Sequence, residues 1–103
     1  MSTQLVNITF KGTVSAESAT GETVTVQVTN PDGSVGASVT GATVDDGKGL
    51  PSSITYTTAP ASVPVGKGAV AVASIAADSA DSAATGTLTF DALNPRTITL
   101  NIS

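Results

Sequence analysis

Asp45 and Asp46 precede Gly47 in one polar stretch, and Asp78 and Asp81 bracket another. Hard cations such as calcium take several oxygen ligands from flexible loops, so these four carboxylates are the candidate metal ligands of the chain. Neither stretch has the spaced Asp-x-Asp-x-Asp-Gly pattern, and two acids per loop are too few for a tight site unless backbone carbonyls join them. The competing reading is two solvated turns whose Asp side chains cap their own backbone. No other cofactor is indicated.

Composition closes most other chemistry. The chain has no histidine, no cysteine and no tryptophan. Ser-His-Asp and Cys-His arrangements are therefore impossible, as are disulfides and thiolate metal sites. Residues 36–41 have the glycine spacing of a phosphate loop, but Ala42 stands where the lysine that reaches the phosphates would be. Sugar stacking needs an aromatic platform, and the only aromatics are Phe10, Tyr56 and Phe90. The chain is expected not to be an enzyme.

Charge is sparse. Lys11, Lys48, Lys67 and Arg96 face eight acids, for a net charge of −4. That balance opposes binding to nucleic acid phosphates and to anionic membranes. Serine and threonine carry the solubility, an extracellular style of surface. No signal peptide is recognisable, and no apolar run approaches membrane-spanning length. The chain is expected either to stay inside the cell or, the favoured reading, to be one module of a longer exported protein, extracellular or at the cell surface.

The elements that must position these residues are strands. Valine and threonine alternate through residues 22–30, with Val24, Val26 and Val28 on one face. Further strands are expected over residues 4–10, 35–44, 53–58, 68–77, 85–90 and 96–102. The Lys11-Gly12-Thr13 stretch should break or bulge the first of them, although Thr13-Val14-Ser15 could continue the pairing. Gly36 and Gly41 suggest a bulge or a change of sheet. Asn30-Pro31-Asp32-Gly33 has the residues of a type I turn. Pro60 and Pro64 rule out a central strand between them. Residues 68–77 are alanine-rich enough for a helix, but their valines, isoleucine and leading glycine favour a strand. About seven short strands with turn signals between them point to one all-β domain spanning residues 1–103, an antiparallel Greek-key sandwich with a thin aliphatic core.

Two glycosylation-type sequons, Asn7-Ile8-Thr9 and Asn101-Ile102-Ser103, fall inside expected strands, where chance occurrence is the simpler account. Lys11 and Asn101 have the residue types of the lysine–asparagine crosslinks of some Gram-positive surface domains. Strand parity turns both outward, away from the buried acid such a crosslink needs. Residues 4–10 and 53–58 are plausible sheet edges with little charge to block pairing. The isolated domain is expected to be a monomer, with strand-addition dimers at high concentration.

The whole chain resembles the immunoglobulin-like modules of bacterial and archaeal surface and extracellular proteins. Residues 21–33 (GETVTVQVTNPDG), 71–78 (AVASIAAD) and 96–102 (RTITLNI) carry the resemblance. The chain lacks the core tryptophan of better-known members, and no tyrosine lies near Val70 to form a tyrosine corner. The resemblance implies a non-catalytic spacer, stalk or adhesion unit whose protein or surface partner is not specified. The alternatives are an immunoglobulin-type decoration or tail domain of a virion, and a calcium-dependent ligand binder.

Overall fold

In a computed structural model the chain is all β, and the structure describes residues 4–15, 20–45, 54–77 and 83–103. Eight strands follow in order: β1 (Leu5–Thr13), β2 (Thr23–Thr29), β3 (Val35–Asp45), β4 (Ile54–Thr57), β5 (Ala61–Pro64), β6 (Gly66–Ile75), β7 (Ala84–Ala92) and β8 (Arg96–Thr99). Among the described residues there is no helix. The hydrogen-bonded order is β5-β1-β4-β3-β2-β6-β7, with β8 joined to β1. Every pairing is antiparallel except β1 with β8, which is parallel.

Alternation in the sequence becomes alternation in burial. Val24, Val26 and Val28 of β2 are fully buried, as are Ile8 and Phe10 of β1. Each such side chain contributes roughly 1.5–3 kcal/mol through burial. The strand reading of residues 68–77 holds. Ala69, Ala71, Ala73 and Ile75 face inward on β6, while Val72 is 38% exposed on the other side. These alanines leave depth for larger groups. Phe90 stands directly across from Ala69, and its ring meets that of Phe10 edge-to-face, with centroids 5.6 Å apart at 76°. The strands bearing these two rings, β1 and β7, are far apart along the hydrogen-bonded path. Their contact therefore shows that the sheet folds over on itself around one core.

Several sequence expectations need correction. There are eight strands rather than seven, because residues 61–64 form a short strand on the outside of β1. The prolines do keep it from being central. β1 does not break at Gly12 but runs to Thr13, and Val14 goes on to bridge Ile102. Residues 8–10 and 54–57 are not edges, whereas Leu5, Val6 and Asn7 pair only with β5. From Ile8 onward β1 is paired on both sides, and β4 lies between β1 and β3. Hydrophobic strands of this kind need cover on both edges, and here the later strands supply it. The pairing is also not wholly antiparallel.

The glycines of β3 act much as expected. The strand pairs with β2 as far as Ala42 and with β4 from Thr43 onward. At the changeover, a Cβ on Gly41 would lie 3.1 Å from the Thr58 Cα and run into the Thr57 carbonyl, so only glycine lets the backbones come so close. Gly36 and Ala37 form a bulge opposite Val28, where the register with β2 shifts by one residue. Gln27 fastens it. Its side-chain amide donates to Val28 O (2.9 Å), Gly36 O (3.0 Å) and Ala37 O (3.3 Å). The turn at residues 30–33 closes through Gly33 N–H donating to Asn30 O at 2.9 Å.

Replacing Gln27 by Leu keeps the bulk and removes the donors. The expected cost is about 1 kcal/mol, seen as a melting temperature lower by about 4–8 °C. A melt within a degree of the parent would show that water serves those carbonyls equally well.

Candidate functional site

The parallel pairing of β8 with β1 builds a recess on the sheet. Lys11 stands across from Thr57 on β4 and from Thr99 on β8, and Thr13 stands across from Thr55. With Asn101, these side chains line a trough of about 290 Å³ on the outer face of the sheet. The trough offers one ammonium, four hydroxyls and one amide. Its lining contains no carboxylate.

Beneath the trough the last strand departs from a regular ladder. Leu100 N–H donates to Lys11 O (2.7 Å) and Ile102 N–H to Thr13 O (2.8 Å). Between them, the Leu100 carbonyl turns inward instead of receiving the Thr13 amide. It lies against Gly12, where a Cβ would collide with it, and accepts a hydrogen bond from the buried Tyr56 hydroxyl at 2.5 Å. The Thr13 N–H goes to Asn101 Oδ1 at 3.0 Å. A side-chain carbonyl thus takes the place of a main-chain one, and both backbone groups remain satisfied.

The sequence put Lys11 and Asn101 on the outer face, and both are exposed there on the same trough. The buried acid of a crosslink site is not among the lining residues, and the Asn101 amide oxygen already serves Thr13. Of the four candidate calcium ligands, Asp45 is the exposed last residue of β3, across from Ile54. Asp46, Asp78 and Asp81 lie outside the described residues. Among the described residues no three acidic or other metal-binding side chains come together. Val24 stands between Gly41 of β3 and Ile75 of β6, so these two strands run in the same direction. The two sequons differ in setting: Asn7 shares a 3.4 Å bond with the Ser62 hydroxyl, while Asn101 is part of the strand repair just described.

Sequence reasoning did not find the hydrogen-bond partner of Tyr56. It also missed the cluster of Thr13, Thr55, Thr57 and Thr99. The available signal was the Thr-x-Thr spacing at 55/57 and 97/99, which marks one outward face of a strand but not which strands are neighbours.

Burial pushes the Tyr56 hydroxyl up from its ordinary value near 10 to about 12. The unfolded chain releases this proton near pH 10, and the folded chain holds it to about 12. The group's contribution to stability is therefore complete below pH 10 and is lost as pH rises through 12. Denaturant midpoints of the parent should fall across that window more steeply than those of Tyr56→Phe. At pH 7, Tyr56→Phe leaves the Leu100 carbonyl buried without a donor and should cost about 1–3 kcal/mol. For the candidate calcium ligands, the two-solvated-turns reading predicts coincident thermal melts in excess calcium and in chelator. A melt raised by calcium would instead support the calcium reading.

No protein-family model, no curated protein and no solved structure matches the chain, so a reading of its function rests on this geometry.

Proposed function

We propose that the chain is a non-catalytic structural module, a spacer or adhesion unit of an extracellular or cell-surface protein, built as an immunoglobulin-like Greek-key sandwich. The supporting observation is the parallel pairing of the first and last strands. Ile8 pairs with Arg96, Lys11 with Thr99 and Val14 with Ile102. Leu5 therefore lies at one end of β1 and Ser103 at the other, in a fold whose extents are 49 × 23 × 18 Å. Tension entering near Leu5 and leaving near Ser103 loads β1 against β8 in shear. Their ladder bonds then share the load rather than breaking one after another. A surface solvated by hydroxyls and a trough without a carboxylate fit a part that holds distance or presents loops.

The chain has no cysteine, so paired single cysteines can place handles at will. Handles at Gln4 and Ser103 should require a severalfold larger unfolding force than handles at Gln4 and Asn94. The second pair would peel β8 from β1 one bond at a time. Equal forces would overturn the mechanical reading. Fractionation of source cells tests the setting. Recovery from the envelope or medium agrees with it, whereas recovery from cytosol or from particles removes it in favour of an intracellular or virion part.

A further inference from the structure

Open sheet edges invite pairing, and proteins usually block them with short strands, prolines, charges or bulges. Three of the open edges among the described residues are blocked in this way. β5 is four residues long, follows Pro60 and ends in Pro64. β8 is also four residues long, follows Pro95 and begins with Arg96. The open length of β3 carries the Gly36-Ala37 bulge. β7 has none of these guards. It is nine residues long with no proline and no charge from Ala84 to Phe90, and the register shift against it lies on the β6 side.

The direction of its free groups can be worked out. Ser103 N–H reaches the Thr85 carbonyl at 3.4 Å, and the Arg96 guanidinium donates to the Asp91 carbonyl. Both carbonyls therefore point away from β6. Peptide groups alternate along an antiparallel strand, so Thr87 and Thr89 also present N–H and C=O outward. No partner for them is found among the described residues. Only another extended strand supplies donors and acceptors at that repeat.

We propose that this edge pairs with β7 of a second copy, antiparallel about a two-fold axis at Thr87. Thr87 then faces the partner's Thr87, and Thr85 faces the partner's Thr89, in about four backbone hydrogen bonds, the Thr85 carbonyls keeping their contact with Ser103. Threonine pairs across strands are favourable. The one charge on β7, Asp91, falls opposite the partner's Ala83 and meets no like charge. The outer face agrees. Thr85, Ser74, Thr25 and Thr40 form one row across the sheet by register, and Thr87, Val72, Gln27 and Ser38 the next, without a charge in either. Joining two such sheets brings no repulsion along the seam.

Sedimentation over a concentration series should show reversible dimers of the parent. Thr87→Pro removes one outward N–H and leaves the β6 ladder intact, so it should weaken dimerisation by about tenfold or more. Thr25→Lys, on the same face but a central strand, should leave it within about twofold. Thr87→Cys supplies a second route that does not depend on proline being tolerated: oxidation should link its dimer, while Thr25→Cys stays unlinked. A parent that remains monomeric to its solubility limit overturns the proposal. So does a dimer that Thr87→Pro leaves as tight as before, or equal linking through positions 25 and 87.

Discussion

The hydrogen bond from Tyr56 to the Leu100 carbonyl fixes how the chain ends, and much of the rest is arranged around it. A carbonyl turned into an apolar core costs several kcal/mol unless a donor meets it. Tyr56 is the one aromatic residue with a hydroxyl, and β4 places it at 1% exposure under the last strand. Gly12 gives the carbonyl room, and Asn101 supplies the acceptor that Thr13 loses. Gly86 gives the same kind of room to the next carbonyl, of Asn101: a Cβ there would come within 3.4 Å of the Ile102 Cα and closer still to that carbonyl. The final residues are thus seated between β1 and β7, and Leu100 and Ile102 enter the core.

This seating has a wider effect. With Ser103 reaching Thr85, the hydrogen-bonded path that begins at β8 and β1 comes back to β7 at one end of the fold. The core inside is shallow, built from valine, alanine and isoleucine with two phenylalanine rings as its only large apolar aromatics. Small residues allow close approach of the two halves but bury little area per residue. Polar groups inside must then be met without waste. Thr58 does this where β4 gives way to β5: its N–H donates to Phe10 O at 2.8 Å, and its hydroxyl accepts from Phe10 N–H at 3.2 Å and donates to Ala59 O. Thr43 similarly receives the Glu22 amide at 3.0 Å.

Much of the fold was legible because period-two alternation is a local property. Val24, Val26 and Val28, or Val6, Ile8 and Phe10, declare a buried face without reference to any other strand. The turn at Asn30 to Gly33 is equally local. Pairing order is not. Whether residues 4–10 lie at an edge depends on where residues 96–102 return, and no pattern inside either segment records that. The parallel return of β8 therefore escaped sequence reasoning, and with it the trough, whose six polar side chains come from three strands distant in sequence. The strand at residues 61–64 was missed for a different reason. Proline excludes the centre of a sheet but permits its edge, and four residues carry too little alternation to be recognised.

Three charged residues, Asp32, Asp91 and Arg96, act as ligands for nearby backbone. Asp32 accepts from the Ser34 N–H at 2.9 Å and from its hydroxyl, which together hold its carboxyl below the ordinary carboxylate range. Asp91 accepts from Gly68 N–H at 3.2 Å, in a turn where Gly68 has φ of 85°. Arg96 directs its guanidinium at a main-chain carbonyl. In each case the side chain satisfies a peptide group that the end of a strand leaves unpaired, which is a local task and needs one residue at one place. Such a chain can dispense with most of its charge, because turns need only a few polar ligands and threonine solvates the faces between them. Among the described residues, the face formed by β7, β6, β2 and β3 carries no charge along the rows of Thr85 and Thr87. Contacts made along those rows are then governed by shape and peptide hydrogen bonding rather than by long-range attraction.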